Sequence, residues 1–270
     1  MICDLHTHTN YCDGVNTPKE MLLSAIEKGL KTYGFSSHSY LPFDPSWNMS
    51  PTDEKAYIAE VKALREEYKD KIEVLLGTEF DLCSNVDLSG YDYVIGSCHN
   101  VIKGGEYLSV DHSEEVYLNI VNTYYEGDHY AFVKDYFLAF KQAAEIEEIT
   151  FFGHFDLINK FNGGFKYFDE TDPRYVKPMI SALEKLAKTG KPFELNTGHT
   201  FRHNKDKASA SSVCWLAALL KMGGKVVVNS DAHSKDRIAY NFDKAEKLLK
   251  DSGFSSVLTL SKNGFSEYKL

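Results

Sequence analysis

The sequence predicts an α/β fold in which parallel strands close into a barrel. Three observations carry this. Seven strand-like runs recur along the chain, mostly separated by helical segments. The 270 residues suit a barrel of alternating strands and helices. Histidines and carboxylates stand at or just past the C-terminal ends of six of the strands. Six strands can serve one cluster in a barrel, whereas a doubly wound open sheet, the competing architecture, gathers residues only at its switch point.

Residues 2–9 read as the first strand. Asp4, His6 and His8 fall on one face by alternation, a poor core and a good metal half-site. Thr17-Pro18-Lys19-Glu20 is a capping box with proline at the first helical position, and Leu22, Ala25, Ile26 and Leu30 form the apolar face that follows. A second strand, 32–38, ends at His38. The loop 40–51 holds three prolines and Trp47 and is expected at a rim. A helix over about 53–70 carries Tyr57, Val61, Leu64 and Tyr68 in register. Strand three, 72–80, ends at Glu79, and strand four, 93–99, ends at His99.

The next fifty residues break the rhythm. Gly104-Gly105 marks a loop, and helices are expected over about 114–125 and 129–148. This longest excursion is a candidate specificity element. Strand five, 150–154, ends at His154. A Gly- and Phe-rich loop, a helix near 174–189 and strand six, 191–196, follow. A helix near 209–222 leads to strand seven, 225–231. A helix at 242–251 and two β-like runs, 256–260 and 265–269, close the chain. No repeat, low-complexity tract or linker interrupts it, so one domain over residues 1–270 is expected.

The totals exclude several functions. A net charge of −9, with no long basic run, argues against nucleic acid or an anionic membrane as the main partner. Five cysteines in no paired pattern suit a reducing cytoplasm rather than a disulfide framework. No signal sequence or membrane-spanning run is visible. The composition sets no oligomeric state.

Nine side chains are candidate metal ligands: His6, His8, Asp13, His38, Glu79, His99, His154, Asp231 and His233. A lone histidine in a strand is ordinarily a core or surface residue. Six of the ten histidines at strand ends, with carboxylates beside them, are not scattered in that way. Nine nitrogen and oxygen donors exceed what one zinc takes, so two or three divalent ions are expected. Imidazole and carboxylate without thiolate suit zinc, manganese or iron. Asp4 is expected to support the ligands rather than join them.

In order along the chain, His6-Thr7-His8, Asp13, His38, Gly77-Thr78-Glu79, Ser97-Cys98-His99, Gly153-His154-Phe155-Asp156 and Ser230-Asp231-Ala232-His233 resemble the motifs of the polymerase and histidinol phosphatase (PHP) superfamily. Each motif alone is weak, and the ordered set spans residues 4–233. The resemblance implies a distorted (β/α)7 barrel with a trinuclear site at the strand C-termini. It implies that His6, His8, Glu79 and Asp231 hold one metal, that Glu79 bridges to a second on His99 and His154, and that Asp13, His38 and His233 hold a third. Some relatives have histidine where Asp13 stands, which bears on that third ion. The length, the helical insertion and the Glu-Leu-Asn-Thr-Gly run at 194–198 are most similar to the stand-alone histidinol phosphatases.

The chemistry expected is hydrolysis of L-histidinol phosphate to L-histidinol and phosphate in histidine biosynthesis, by metal-activated hydroxide attacking phosphorus. Asp156, His199 and His203 are candidate proton donors to the leaving alcohol. Arg202, Arg237 and Lys160 are candidate phosphate ligands at the mouth. Glu115, Tyr117 and the aromatic loop 161–168 are candidates for the imidazole and amine. Two other readings compete: a relative acting on nucleotides or nucleic-acid 3′ ends, and a non-catalytic metal-binding or polymerase-associated module.

Overall fold

The computed structural model describes residues 2–204 and 207–270. Strand β1 (Cys3–Asp4) is followed by α1 (Pro18–Glu27), β2 (Thr32–Phe35), α2 (Pro51–Tyr68), β3 (Glu73–Asp81) and β4 (Tyr93–Ser97). A hairpin, β5 (Asn100–Lys103) and β6 (Glu106–Ser109), precedes α3 (Glu114–Tyr125) and α4 (His129–Phe140). Then come β7 (Phe151–Phe152), α5 (Pro173–Ala187), β8 (Phe193–Asn196), the single turn α6 (Thr197–Thr200), α7 (Ala210–Lys221), β9 (Val226–Asn229) and α8 (Phe242–Asp251). A hairpin of β10 (Ser256–Ser261) and β11 (Gly264–Lys269) ends the chain.

Seven strands form one parallel sheet in the order β1-β2-β3-β4-β7-β8-β9. The sheet curls until its outer strands meet. Beyond β1 and β9, Thr7 and Ala232 form a parallel bridge, with His8 N donating to Ala232 O at 2.9 Å and Ala232 N to His6 O at 3.1 Å. Below the bridge, side chains replace the ladder. Leu5 N donates to Asn229 Oδ1 at 2.9 Å, and Ser230 N donates to Asp4 Oδ1 at 3.0 Å. This is the distorted seven-stranded barrel, with its seam between the first and last strands.

The helices start where the sequence says they should. Thr17 and Glu20 cap α1 reciprocally, and Ser50 and Asp53 cap α2, each with proline next in the chain. Such caps contribute about 1 kcal/mol each.

The barrel interior is filled by Leu5, Leu75, Tyr93, Ile95, Phe151 and Val227, with Leu260 of β10 packed against them. The Tyr93 hydroxyl lies 2.5 Å from Leu5 O and 2.9 Å from Phe35 O and shares its proton between them. Gly34 and Gly77 make room for this ring, since a Cβ at either position would overlap it. Outside the barrel, α3 and α4 bury an aromatic layer that includes Phe132, Tyr136, Phe137 and Phe140.

Several elements differ from expectation, among them β2, which ends at Phe35, β7, which spans only Phe151–Phe152, and the unexpected turn α6. The first strand pairs regularly only over Cys3–Asp4, because Ser36 Oγ intervenes beyond it and accepts from Thr7 N at 3.0 Å. Helix α4 stops at Phe140, and a 3-10 turn, Lys141–Glu145, leads to β7. Gly104-Gly105 is the tip of the β5–β6 hairpin, with φ of 62° and 88°. Among the described residues, no helix is long and apolar enough to cross a membrane.

Candidate active site

At the C-terminal end of the barrel the nine candidate ligands converge. Glu79, near the end of β3, is central and almost fully buried. Its Oε1 lies 2.8 Å from His154 Nε2 and 3.3 Å from His99 Nε2. Its Oε2 lies 2.9 Å from His38 Nδ1, 3.0 Å from His6 Nε2 and 3.4 Å from His8 Nε2. Asp231 Oδ1 lies 3.1 Å from His8 Nε2, 3.4 Å from His6 Nε2 and 3.6 Å from His233 Nδ1. Asp13, in the turn after the first strand, lies 3.1 Å from His233, 3.6 Å from His38 and 3.7 Å from His8. Glu79 lies within β3, and the other donors follow their strands, with Asp13 in the turn beyond the first.

Buried carboxylates stand behind the donors. Glu194 on β8 holds His6 Nδ1 at 2.8 Å, and Asp81 on β3 holds His99 Nδ1 at 3.2 Å. Asp81 also accepts from the His99 backbone N at 2.9 Å. Asp4 accepts from Ser230 N, Ser230 Oγ and Ala239 N, which anchors the chain next to Asp231. Burial raises the Asp4 carboxyl to about 6, against these hydrogen bonds. Burial also pushes His8 down to about 3, with His233 and His38 adding to the effect, so its ring is neutral and able to ligate.

A cavity of about 220 Å³ opens over the cluster. Its further wall carries Trp47, Asp111, Lys160, His199 and Arg202. Lys160 Nζ pairs with Asp111 Oδ2 at 2.9 Å. His199 Nε2 lies 2.9 Å from Asn159 Oδ1 and 3.6 Å from Asp156 Oδ1. Burial, followed by the attraction of Asp156 and the repulsion of Arg202, leaves His199 near 4, neutral at neutral pH. The rim is tied together by the Phe43 and Tyr107 rings, stacked at 3.7 Å, which join the Trp47 loop to the β5–β6 hairpin.

The donors fit divalent cations. Among the described residues, four overlapping sets of three or four donors have ligand atoms within 4.8 Å of one another. The Nε2 atoms of His6 and His8 are buried without a hydrogen-bond partner, although each lies within 3.4 Å of both Glu79 and Asp231. Nitrogen lone pairs and carboxylates facing one space call for positive charge there.

The PHP domain family model matches residues 4–198. The chain belongs to the PHP domain family. The Deinococcus radiodurans protein named probable histidinol-phosphatase is 29% identical over 267 residues, covering 95% of each chain. The histidinol-phosphatase of Lactococcus lactis is 27% identical over 276 residues, covering 96% of this chain and 94% of its own. The solved histidinol phosphate phosphatase from Lactococcus lactis, complexed with zinc, L-histidinol and phosphate, shares the fold. It superposes with a TM-score of 0.72 at 23% identity over 98% of each chain.

Within this PHP domain, the donor sets overlap rather than divide into three separate groups. His8 belongs to the Asp13, His38 and His233 set as well as to the His6 and Asp231 set, and His38 stands between Glu79 and Asp13. Of the candidate proton donors, only His199 lines the cavity. Asp156 does not continue the face of His154, because β7 ends at Phe152 and the chain turns into a 3-10 helix at Leu157–Asn159. Its carboxylate is buried and accepts from Ser212 Oγ at 3.1 Å. His203 is exposed and outside the cavity lining.

Lys160 and Arg202 line the cavity, but Arg237 does not. The 3-10 turn Lys235–Arg237 carries Arg237 into an adjoining recess that shares Lys160, Arg202, Asp231 and His233 with the cavity, and its guanidinium lies 3.6 Å from the Tyr240 ring centroid. Glu115, Tyr117 and residues 161–168 are also outside the lining; Tyr117 is buried against Phe132, Phe161 and Tyr167. The sequence reading misses Glu194, Asp81 and Asp111. A signal exists for the first two. In Phe193-Glu194-Leu195-Asn196, and in Glu79-Phe80-Asp81, polar residues alternate with apolar ones inside buried strands, which marks a strand face turned toward a polar site.

Proposed function

We propose that this PHP domain is a metal-dependent phosphomonoesterase that hydrolyses L-histidinol phosphate to L-histidinol and phosphate in histidine biosynthesis. The observation that carries the reading is the clustering of nine imidazole and carboxylate donors, seven of them lining one small cavity with His6 and His8 buried behind them, and with Lys160 and Arg202 on the other wall. The names of the relatives across nearly the full chain supply the substrate.

His6, His8, Asp13, His38, Glu79, His99, His154, Asp231 and His233 would hold two or three ions of zinc, manganese or iron. When bound, such ions supply Lewis acidity, which makes water nucleophilic at neutral pH and offsets phosphoryl charge. The remaining work falls to the chain. Glu79, with one oxygen toward each group of histidines, would serve as a ligand to both groups. Arg202 and Lys160 hold the phosphoryl oxygens, and Asp111 fixes the direction of Lys160. Asp81 keeps the His99 ring in place. His199, a neutral ring on the cavity wall, donates its Nε2–H to Asn159 Oδ1.

The test is phosphate release by the metal-loaded chain from L-histidinol phosphate, nucleoside monophosphates, phosphotyrosine and a 3′-ended oligonucleotide. The reading expects kcat/KM for L-histidinol phosphate to exceed the others by about 100-fold or more. Preference for a nucleotide or oligonucleotide would establish the competing esterase instead. Hydrolysis of none would favour a binding module.

A further inference from the structure

We infer that Glu194 is a positioning residue that fixes the tautomer of His6 and so decides whether His6 can bind metal. The inference rests on the metal reading of the site, and it concerns a carboxylate that lines no part of the cavity.

Glu194 is fully buried, and four groups meet its two oxygens. Oε1 lies 2.8 Å from His6 Nδ1 and 2.8 Å from Asn229 Nδ2. Oε2 accepts from His154 N at 3.0 Å and Asn196 Nδ2 at 3.2 Å. The backbone amide of His154 can only donate. Asn229 is oriented by its own oxygen, which accepts from Leu5 N at 2.9 Å, so its nitrogen faces Glu194. Asn196 is oriented in the same way, since its oxygen accepts from His199 N at 2.9 Å. Three of the four neighbours are therefore donors by necessity, and the carboxylate is the acceptor for all of them.

That leaves one arrangement for His6 as a metal ligand. Its Nδ1 carries a proton toward Glu194 whatever the state of the other nitrogen, so the lone pair that can bind metal is the one on Nε2. Nε2 is the buried, unpartnered nitrogen beside Glu79 and Asp231. Glu194 thus turns His6 outward as a ligand while bonding the barrel seam at Asn229 and the backbone of His154.

Glu194→Gln preserves shape and breaks this logic. Glutamine has one acceptor oxygen, so its NH₂ must face two of the four donors. The arrangement with fewer clashes places NH₂ against His6, where the ring can switch its proton to Nε2. The switched ring points N–H at the metal position.

Zinc is the probe. Long-range ¹H–¹⁵N spectra of the zinc-loaded wild type should show His6 with a slowly exchanging Nδ1–H and zinc on Nε2. Glu194→Gln should lose that signal and bind zinc about 10- to 100-fold more weakly in chelator-buffered titration. A purely structural residue would lower the metal-free Tm and leave zinc affinity and the tautomer unchanged, which would overturn the inference. If the variant fails to fold, the wild-type spectrum decides: His6 protonated on Nε2 overturns it. Wild type that binds zinc with the expected tautomer but cleaves no L-histidinol phosphate would sink the substrate assignment alone. Wild type that binds no zinc would sink both.

Discussion

Glu79 touches five histidines, with two on one oxygen and three on the other. The histidines pull its carboxyl well below the ordinary range despite complete burial. Glu79→Gln should therefore lower metal content and reduce phosphate release by about 100-fold or more, read as ions per chain beside kcat. At the other wall, Arg202→Ala and Lys160→Ala should raise KM by about 10-fold or more while the metal content stays at the wild-type level. Arg237→Ala should raise KM by a smaller factor than Arg202→Ala, because its guanidinium stacks on Tyr240 in the recess adjoining the cavity. A large KM effect at Arg237 with none at Arg202 would reverse this assignment. The main donors are legible from residue type and position alone, because imidazole at a buried strand end has few other uses. The carboxylates behind them are less so. Glu194 and Asp81 sit inside hydrophobic runs, and only their partners, reached by folding, reveal what they do.

At the scale of elements, the site depends on how strands end and how close they pack. Tyr93 of β4 reaches across to the carbonyls of Leu5 and Phe35, over Gly34 and Gly77. Gly77→Ala should force that ring aside and cost about 1–3 kcal/mol in denaturant unfolding. It also lies two residues before Glu79, so metal content should fall with stability. An unchanged midpoint would show that the ring moves freely. The β/α alternation can be read from periodicity because each unit buries its own apolar face. The β5–β6 hairpin is harder to read. Its strands are short, and the reading stops at Gly104-Gly105 as a loop, although Val101 and Leu108 flank that turn on a common buried face. Asp111 and His112, which follow it and line the cavity, are hidden for the same reason. The expected face of Asp156 is off for another reason: alternation does not extend past the end of a two-residue strand.

For the whole molecule, the donors come from both ends of the chain and from most of the strands between. His6 and Asp231 meet only because the barrel closes, and its seam relies on Asn229 and Asp4 side chains where a ladder would otherwise run. That closure is legible in outline, since six strand ends serving one site require a closed sheet. The side-chain seam is not, because no local pattern marks which two strands will be joined without a full ladder. Ions binding only the closed barrel should stabilise it by mass action. Zinc at about 100 times its Kd should add ~2.7 kcal/mol per site and raise Tm by about 5–10 °C over the stripped chain. The most direct test of the central claim is phosphate release from L-histidinol phosphate by chelator-stripped protein, before and after zinc is restored. Turnover should be near background when stripped and on the order of 1–100 per second when restored. Equal rates in the two states, or no release in either, would contradict that claim.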